Sequence, residues 1–156
     1  MQVALSSNDH QPDGSTMFRR ILATAVIFAA ACEGNFTAPQ DGEEQTWEYT
    51  AYDFSNQAVV TGTFLVRAQG RNFTGSWETR LLKNGAEVGP QVGTGDLWGE
   101  WDTEGQSVMF NLNPGWADNN VYLVGAPDGN LLKGSWSHST LTGVRTGGQF
   151  TARRTD

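Results

Sequence analysis

Phe73-Thr74-Gly75-Ser76-Trp77 sets a glycine, one polar residue and a large aromatic in succession. The same figure returns as Val60-Thr61-Gly62-Thr63-Phe64, Leu97-Trp98-Gly99-Glu100-Trp101, Leu132-Lys133-Gly134-Ser135-Trp136 and Thr146-Gly147-Gly148-Gln149-Phe150. Residues two apart in a strand share a face. Each copy therefore puts glycine and aromatic on one side and Thr63, Ser76, Glu100, Ser135 or Gln149 on the other. One architectural device is used five times.

Outward from these copies, residues 46–154 divide into eight candidate strands. Trp47, Tyr49 and Ala51 share the inward face of the first, and Val60, Gly62, Phe64 and Val66 that of the second. Phe73, Gly75, Trp77 and Leu81 follow in the third, and Leu97, Gly99 and Trp101 in the fourth. The fifth sets Val108, Phe110 and Leu112 inward, and the sixth is marked by Val121 and Leu123. Leu132, Gly134 and Trp136 belong to the seventh, and Gly148, Phe150 and Ala152 to the eighth. Asn84-Gly85, Gly105 and Asp128-Gly129 supply turn chemistry between them. Longer connections are expected over 87–93, 113–119 and 138–146. Clean alternation in hairpin-linked segments marks antiparallel strands wetted on one side. The pattern predicts an all-β domain, an eight-stranded antiparallel up-and-down barrel, with a two-sheet β-sandwich as the alternative. The repeated glycines are expected to let narrow-barrel strands bend and to leave gaps that neighbouring rings cover.

At 156 residues the chain suits one domain with a real core. The net charge of −7 argues against a nucleic-acid partner, whose phosphates call for basic patches. Before the barrel, Arg19-Arg20 and the apolar or small run Ile21–Ala31 read as a signal segment over residues 1–31, with translation starting at Met17. The run is too short to span a bilayer, which takes roughly 20 residues. Residues 32–45 have few apolar positions and read as a flexible tether.

Chemistry is sparse. Beyond the signal segment the chain holds one histidine, His138, read as an exposed loop residue, and the single cysteine of the sequence is Cys32. No nucleophile–base arrangement and no metal-ligating cluster of histidines or cysteines can be composed from them, so neither an enzyme nor a metal or cofactor protein is expected. Asp96, Glu100, Asp102 and Glu104 read as a solvated strand face, and Asp118-Asn119-Asn120 as turn formers. The aromatics are the better lead: Trp77, Trp101, Trp136, Phe64, Phe110 and Phe150 converge on the interior. Trp116, in the 113–119 loop, would lie over the barrel mouth.

Ala29-Ala30-Ala31-Cys32 resembles the lipobox of bacterial lipoproteins. That resemblance implies lipid attachment at Cys32 and membrane anchoring, and Glu33 in place of an aspartate implies the outer membrane. Cleavage by ordinary signal peptidase, leaving a soluble secreted protein, is the alternative. Residues 46–154 resemble the calycin superfamily of lipocalin- and avidin-like barrels, and look most like the avidin type with its Thr-Gly-x-aromatic strands. The resemblance implies binding of a small molecule. The leading expectation is a cell-envelope lipoprotein that binds a small apolar or amphipathic ligand, lined by Trp77, Trp101 and Trp136. The alternative is a structural or protein-interaction module with a filled barrel and no ligand.

Overall fold

The computed structural model of the chain describes residues 40–102, 104 and 106–155. The signal segment, Cys32 and the first part of the tether lie outside them. The described chain forms eight strands in order: β1 (Glu44–Tyr52), β2 (Ala58–Gln69), β3 (Asn72–Leu81), β4 (Gly93–Asp102), β5 (Ser107–Asn111), β6 (Asn119–Asp128), β7 (Leu131–Thr140) and β8 (Gly143–Arg154). Each pairs antiparallel with the next, and β8 returns to β1 from Trp47↔Arg154 to Tyr52↔Gln149, closing the barrel. The up-and-down barrel expected from the alternation is therefore the fold. Closure leaves no bare strand edge, where an open sheet of this length would invite aggregation.

The repeated motif finds its explanation in the register. Tyr49 lies opposite Gly62, Trp77 opposite Gly95, Phe110 opposite Gly99, Phe150 opposite Gly134 and Trp136 opposite Gly148. Large and absent side chains thus meet across neighbouring strands, which is how a narrow barrel fits five bulky rings at native density. Rings do cover Gly99 and Gly95, where an added Cβ would meet Phe110 and the Trp77 indole. At Gly62, Gly75, Gly134 and Gly148 the nearest neighbour is instead the backbone of an adjacent strand: the carbonyls of Glu78, Leu65, Val124 and Tyr52.

Two ends follow from the topology. At one, which we call the rim, lie the connections 53–57, 82–92, 112–118 and 141–142. At the other, the base, the chain enters before β1 and leaves after β8, where the Thr155 amide donates to Thr46 O at 3.0 Å. Three local readings differ from the sequence expectation. The tether ends sooner: β1 begins at Glu44, and Gln45 is buried at 1% exposure, because the Gly42 amide donates to Ala68 O and stitches this stretch to β2. The 138–146 loop is a tight hairpin turning at Leu141-Thr142, with His138 paired to Thr146. A register shift between His138 and Ser139 breaks the alternation there, which hid the strand from a period-2 reading. The 82–92 connection is no simple surface loop, since Val88 and Gln91 are buried under the rim.

Candidate functional site

The interior is filled from the middle toward the rim. Tyr49 stacks on Phe64 with ring centroids 4.5 Å apart, and the Phe150 ring lies tilted with its centroid 6.0 Å from that of Tyr49. Trp136 and Trp77 complete this packing, and both indole N–H groups are committed to backbone. Trp136 Nε1 donates to Tyr52 O at 2.8 Å, and Trp77 Nε1 to Leu112 O at 2.7 Å and Asp96 O at 3.2 Å. A buried indole needs such a partner. The edge of Trp77 also reaches a shallow groove on the outer wall, beside Gly95, between Ser76, Glu78 and Thr94.

Gln91 plugs the rim end. Its Oε1 accepts the Tyr49 hydroxyl at 2.7 Å, its Nε2 donates to Val88 O at 2.8 Å, and its carbonyl accepts the Thr79 hydroxyl. Burial pushes the Tyr49 phenol well above its ordinary range, so it stays a neutral donor. No motif announced Gln91: a glutamine in a Gly- and Pro-bearing loop gives no period by which its burial could be read.

The base is packed less completely. Gln45, Trp47, Val66, Phe73, Trp101, Val108, Phe110 and Leu132 line an apolar recess whose unfilled space is about 20 Å³. Phe73 and Phe110 form one wall with centroids 5.7 Å apart, while Trp101 is half-buried at the side. Gln45 Nε2 donates to Glu43 Oε1 at 3.3 Å, but Gln45 Oε1 is buried with no donor, an arrangement that costs about 1–3 kcal/mol. Of the aromatics singled out in the sequence, Trp101 and Phe110 meet here. Phe64, Phe150, Trp77 and Trp136 lie in the packed interior.

Trp116 stands at the rim, at the end opposite the recess, and is 64% exposed. Its loop is nonetheless held firmly. Asn120 Nδ2 donates to Trp116 O at 2.9 Å, Asn111 Nδ2 to Asn120 Oδ1 at 2.9 Å, and Asn113 Nδ2 to Asn119 O at 3.2 Å. The asparagine-rich stretch is thus spent on anchoring the loop. Other exposed apolar residues gather at the same end: Phe54 at 85%, Leu141 at 82% and Val144 at 69%, with Leu82 and Val92 partly covered. Phe54 rides on a turn tied by Asp53 Oδ1, which accepts from the amides of Ser55 and Gln57 at 2.9 and 3.0 Å. Away from the rim, only Leu65 and Val124 are exposed large apolar residues among those described.

His138 is half-buried on β7 rather than exposed in a loop. Its Nε2 lies 2.8 Å from Asn119 Oδ1, and its ring packs beneath Gly89, whose φ of +64° and close approach both exclude a side chain. Asp96, Glu100, Asp102 and Glu104 are exposed, and among the described residues no three His, Cys, Asp or Glu side chains gather as a metal site. Against known proteins, the chain matches no family model, no curated protein and no solved structure.

Proposed function

We propose that this protein is a cell-envelope lipoprotein, anchored through Cys32, whose filled calycin-like barrel serves as a scaffold presenting its apolar rim to a protein partner, without catalysis. The observation that carries this reading is the gathering of Phe54, Trp116, Leu141 and Val144 at one end, each more than three-fifths exposed. Exposed apolar residues that cluster are the mark of an interaction surface, whereas scattered ones need no explanation. The chain enters β1 and leaves β8 at the opposite end, the base. The rim loops carry three carboxylates, Asp53, Glu87 and Asp118, against one lysine, Lys83, a balance that disfavours an anionic bilayer and suits a protein face.

Site-specific photo-crosslinkers placed at Phe54, Trp116 and Leu141 in the intact bacterial envelope test the rim. A discrete protein adduct from these positions and none from Leu65 on the wall is expected. Equal adducts from rim and wall would count against it, as would binding of the purified chain to phosphatidylglycerol vesicles that is lost when Phe54, Trp116 and Leu141 are all replaced by serine. Radioactive palmitate should label the chain and fail to label Cys32→Ser.

The recess at the base favours a second reading, that of a small apolar or amphipathic ligand. Ligands of drug size occupy about 300 Å³ or more. The space here accommodates only a slim group unless Trp101 turns outward.

A further inference from the structure

In the recess at the base, an apolar hollow and an unsatisfied buried polar atom coincide. Resting on the second reading, that the barrel takes a small ligand, we propose that this recess selects a neutral single-ring or short-chain molecule carrying one hydrogen-bond donor, with that donor on Gln45 Oε1.

The orientation of the Gln45 amide is set by its neighbour. Glu43 Oε1 lies 3.3 Å from Nε2, and a carboxylate accepts, so the nitrogen must face it and the oxygen must face away. Gln45 Oε1 is thereby a fixed acceptor, in a residue 1% exposed, with nothing donating to it. The free space is about 20 Å³, and its lining is apolar apart from Gln45 and the indole nitrogens of Trp47 and Trp101. A hydroxyl or N–H on an apolar body satisfies the Gln45 acceptor while the body packs against the apolar walls, contacts that a lone water does not make.

The surroundings narrow the class further. Trp47, Phe73, Trp101 and Phe110 give flat apolar walls, which favour a ring or a short chain. Glu43 beside the amide repels an anion. A cation entering these walls would lose its hydration for one amide oxygen. Trp101 is the one half-buried member of the set, and a ring larger than the 20 Å³ of free space enters only if that side chain gives way.

The test titrates the ¹⁵N-labelled full chain with phenol and with toluene, two rings of similar shape that differ in the donor. Phenol is expected to shift the Gln45 side-chain amide and the Trp101 indole, and to bind roughly threefold to tenfold more tightly than toluene. Gln45→Met, of similar length but without the acceptor, should bind the two alike. Equal affinities in the unaltered chain would overturn donor selection while leaving the small-ligand reading intact. No shift with either compound, or shifts confined to Trp116 at the rim, would remove both. Should Gln45→Met fail to fold, the phenol-to-toluene ratio and the Gln45 shift in the unaltered chain still decide.

Discussion

At the scale of single residues, the glycines and the buried polar groups carry the consequences. An added side chain at Gly75 or Gly134 would run into the carbonyl of Leu65 or Val124 on the adjacent strand, and backbone cannot swing aside as a ring can. Gly75→Val and Gly134→Val should each destabilise by about 3 kcal/mol, read as a fall in thermal midpoint. Tyr49→Phe removes the donor to Gln91 Oε1 and leaves that acceptor buried, so a loss of about 1–3 kcal/mol is expected in urea unfolding. The inward rings were legible in the sequence because alternation reports facing directly. Gln45, Thr79 and Gln91 were not, because their burial is decided by partners that a local pattern does not contain. The plug at the rim and the orphan oxygen at the base were both missed for that reason.

At the scale of elements, the rim loops are built to hold apolar side chains in water. The Asp53 carboxylate organises the 53–57 turn under Phe54, and Lys83 reaches it at 3.3 Å while donating to Gln57 Oε1 at 2.6 Å. Bonding to the Gln57 amide, ahead of the Lys83 and Ser55 contributions, holds the Asp53 carboxyl below its ordinary value. A carboxyl lowered on folding stabilises the folded form above its unfolded pKa, about 3.9, and loses that contribution as pH falls through the folded value. The amide signals of Ser55 and Gln57 should therefore keep their neutral-pH positions until well into the acid range, then move together. Asp53→Asn should abolish that transition without unfolding the barrel. The hairpin joining β7 to β8 was read as a loop for an equally physical reason. A one-residue slip at His138 and Ser139 reverses the facing that follows, so a strand pattern read through it dissolves.

At the scale of the whole molecule, the barrel is polarised along its axis. Its rim carries water-exposed Phe54, Trp116 and Leu141, and its base carries the points where the chain enters β1 and leaves β8 and the incompletely filled recess. The triple variant Phe54→Ser, Trp116→Ser, Leu141→Ser removes exposed side chains only, so its thermal midpoint should stay within a few degrees of the parent. With the photo-crosslinker moved to Val144, which also stands exposed at the rim, the adduct of the parent chain should disappear in the triple variant. A large fall in midpoint would mean that these residues belong to the fold rather than to a partner surface. The eight-stranded barrel was legible because hairpin turns and alternation agree along the whole domain. The division into a packed rim half and a looser base half was not, since it depends on how rings of similar size settle against one another in three dimensions.

Closure through the β1–β8 ladder also imposes an order in time. Of the eight described strands β1 is synthesised first, yet its second neighbour is the last of them. Until residues 149–154 are in place, β1 and β7 each present a row of unpaired backbone groups. Contacts between the two ends of a chain slow folding, since a large loop must close before they form. A chain truncated before Gln149 should therefore collect in aggregates instead of as a seven-stranded barrel, and the full chain should fold in one late cooperative step as β8 docks.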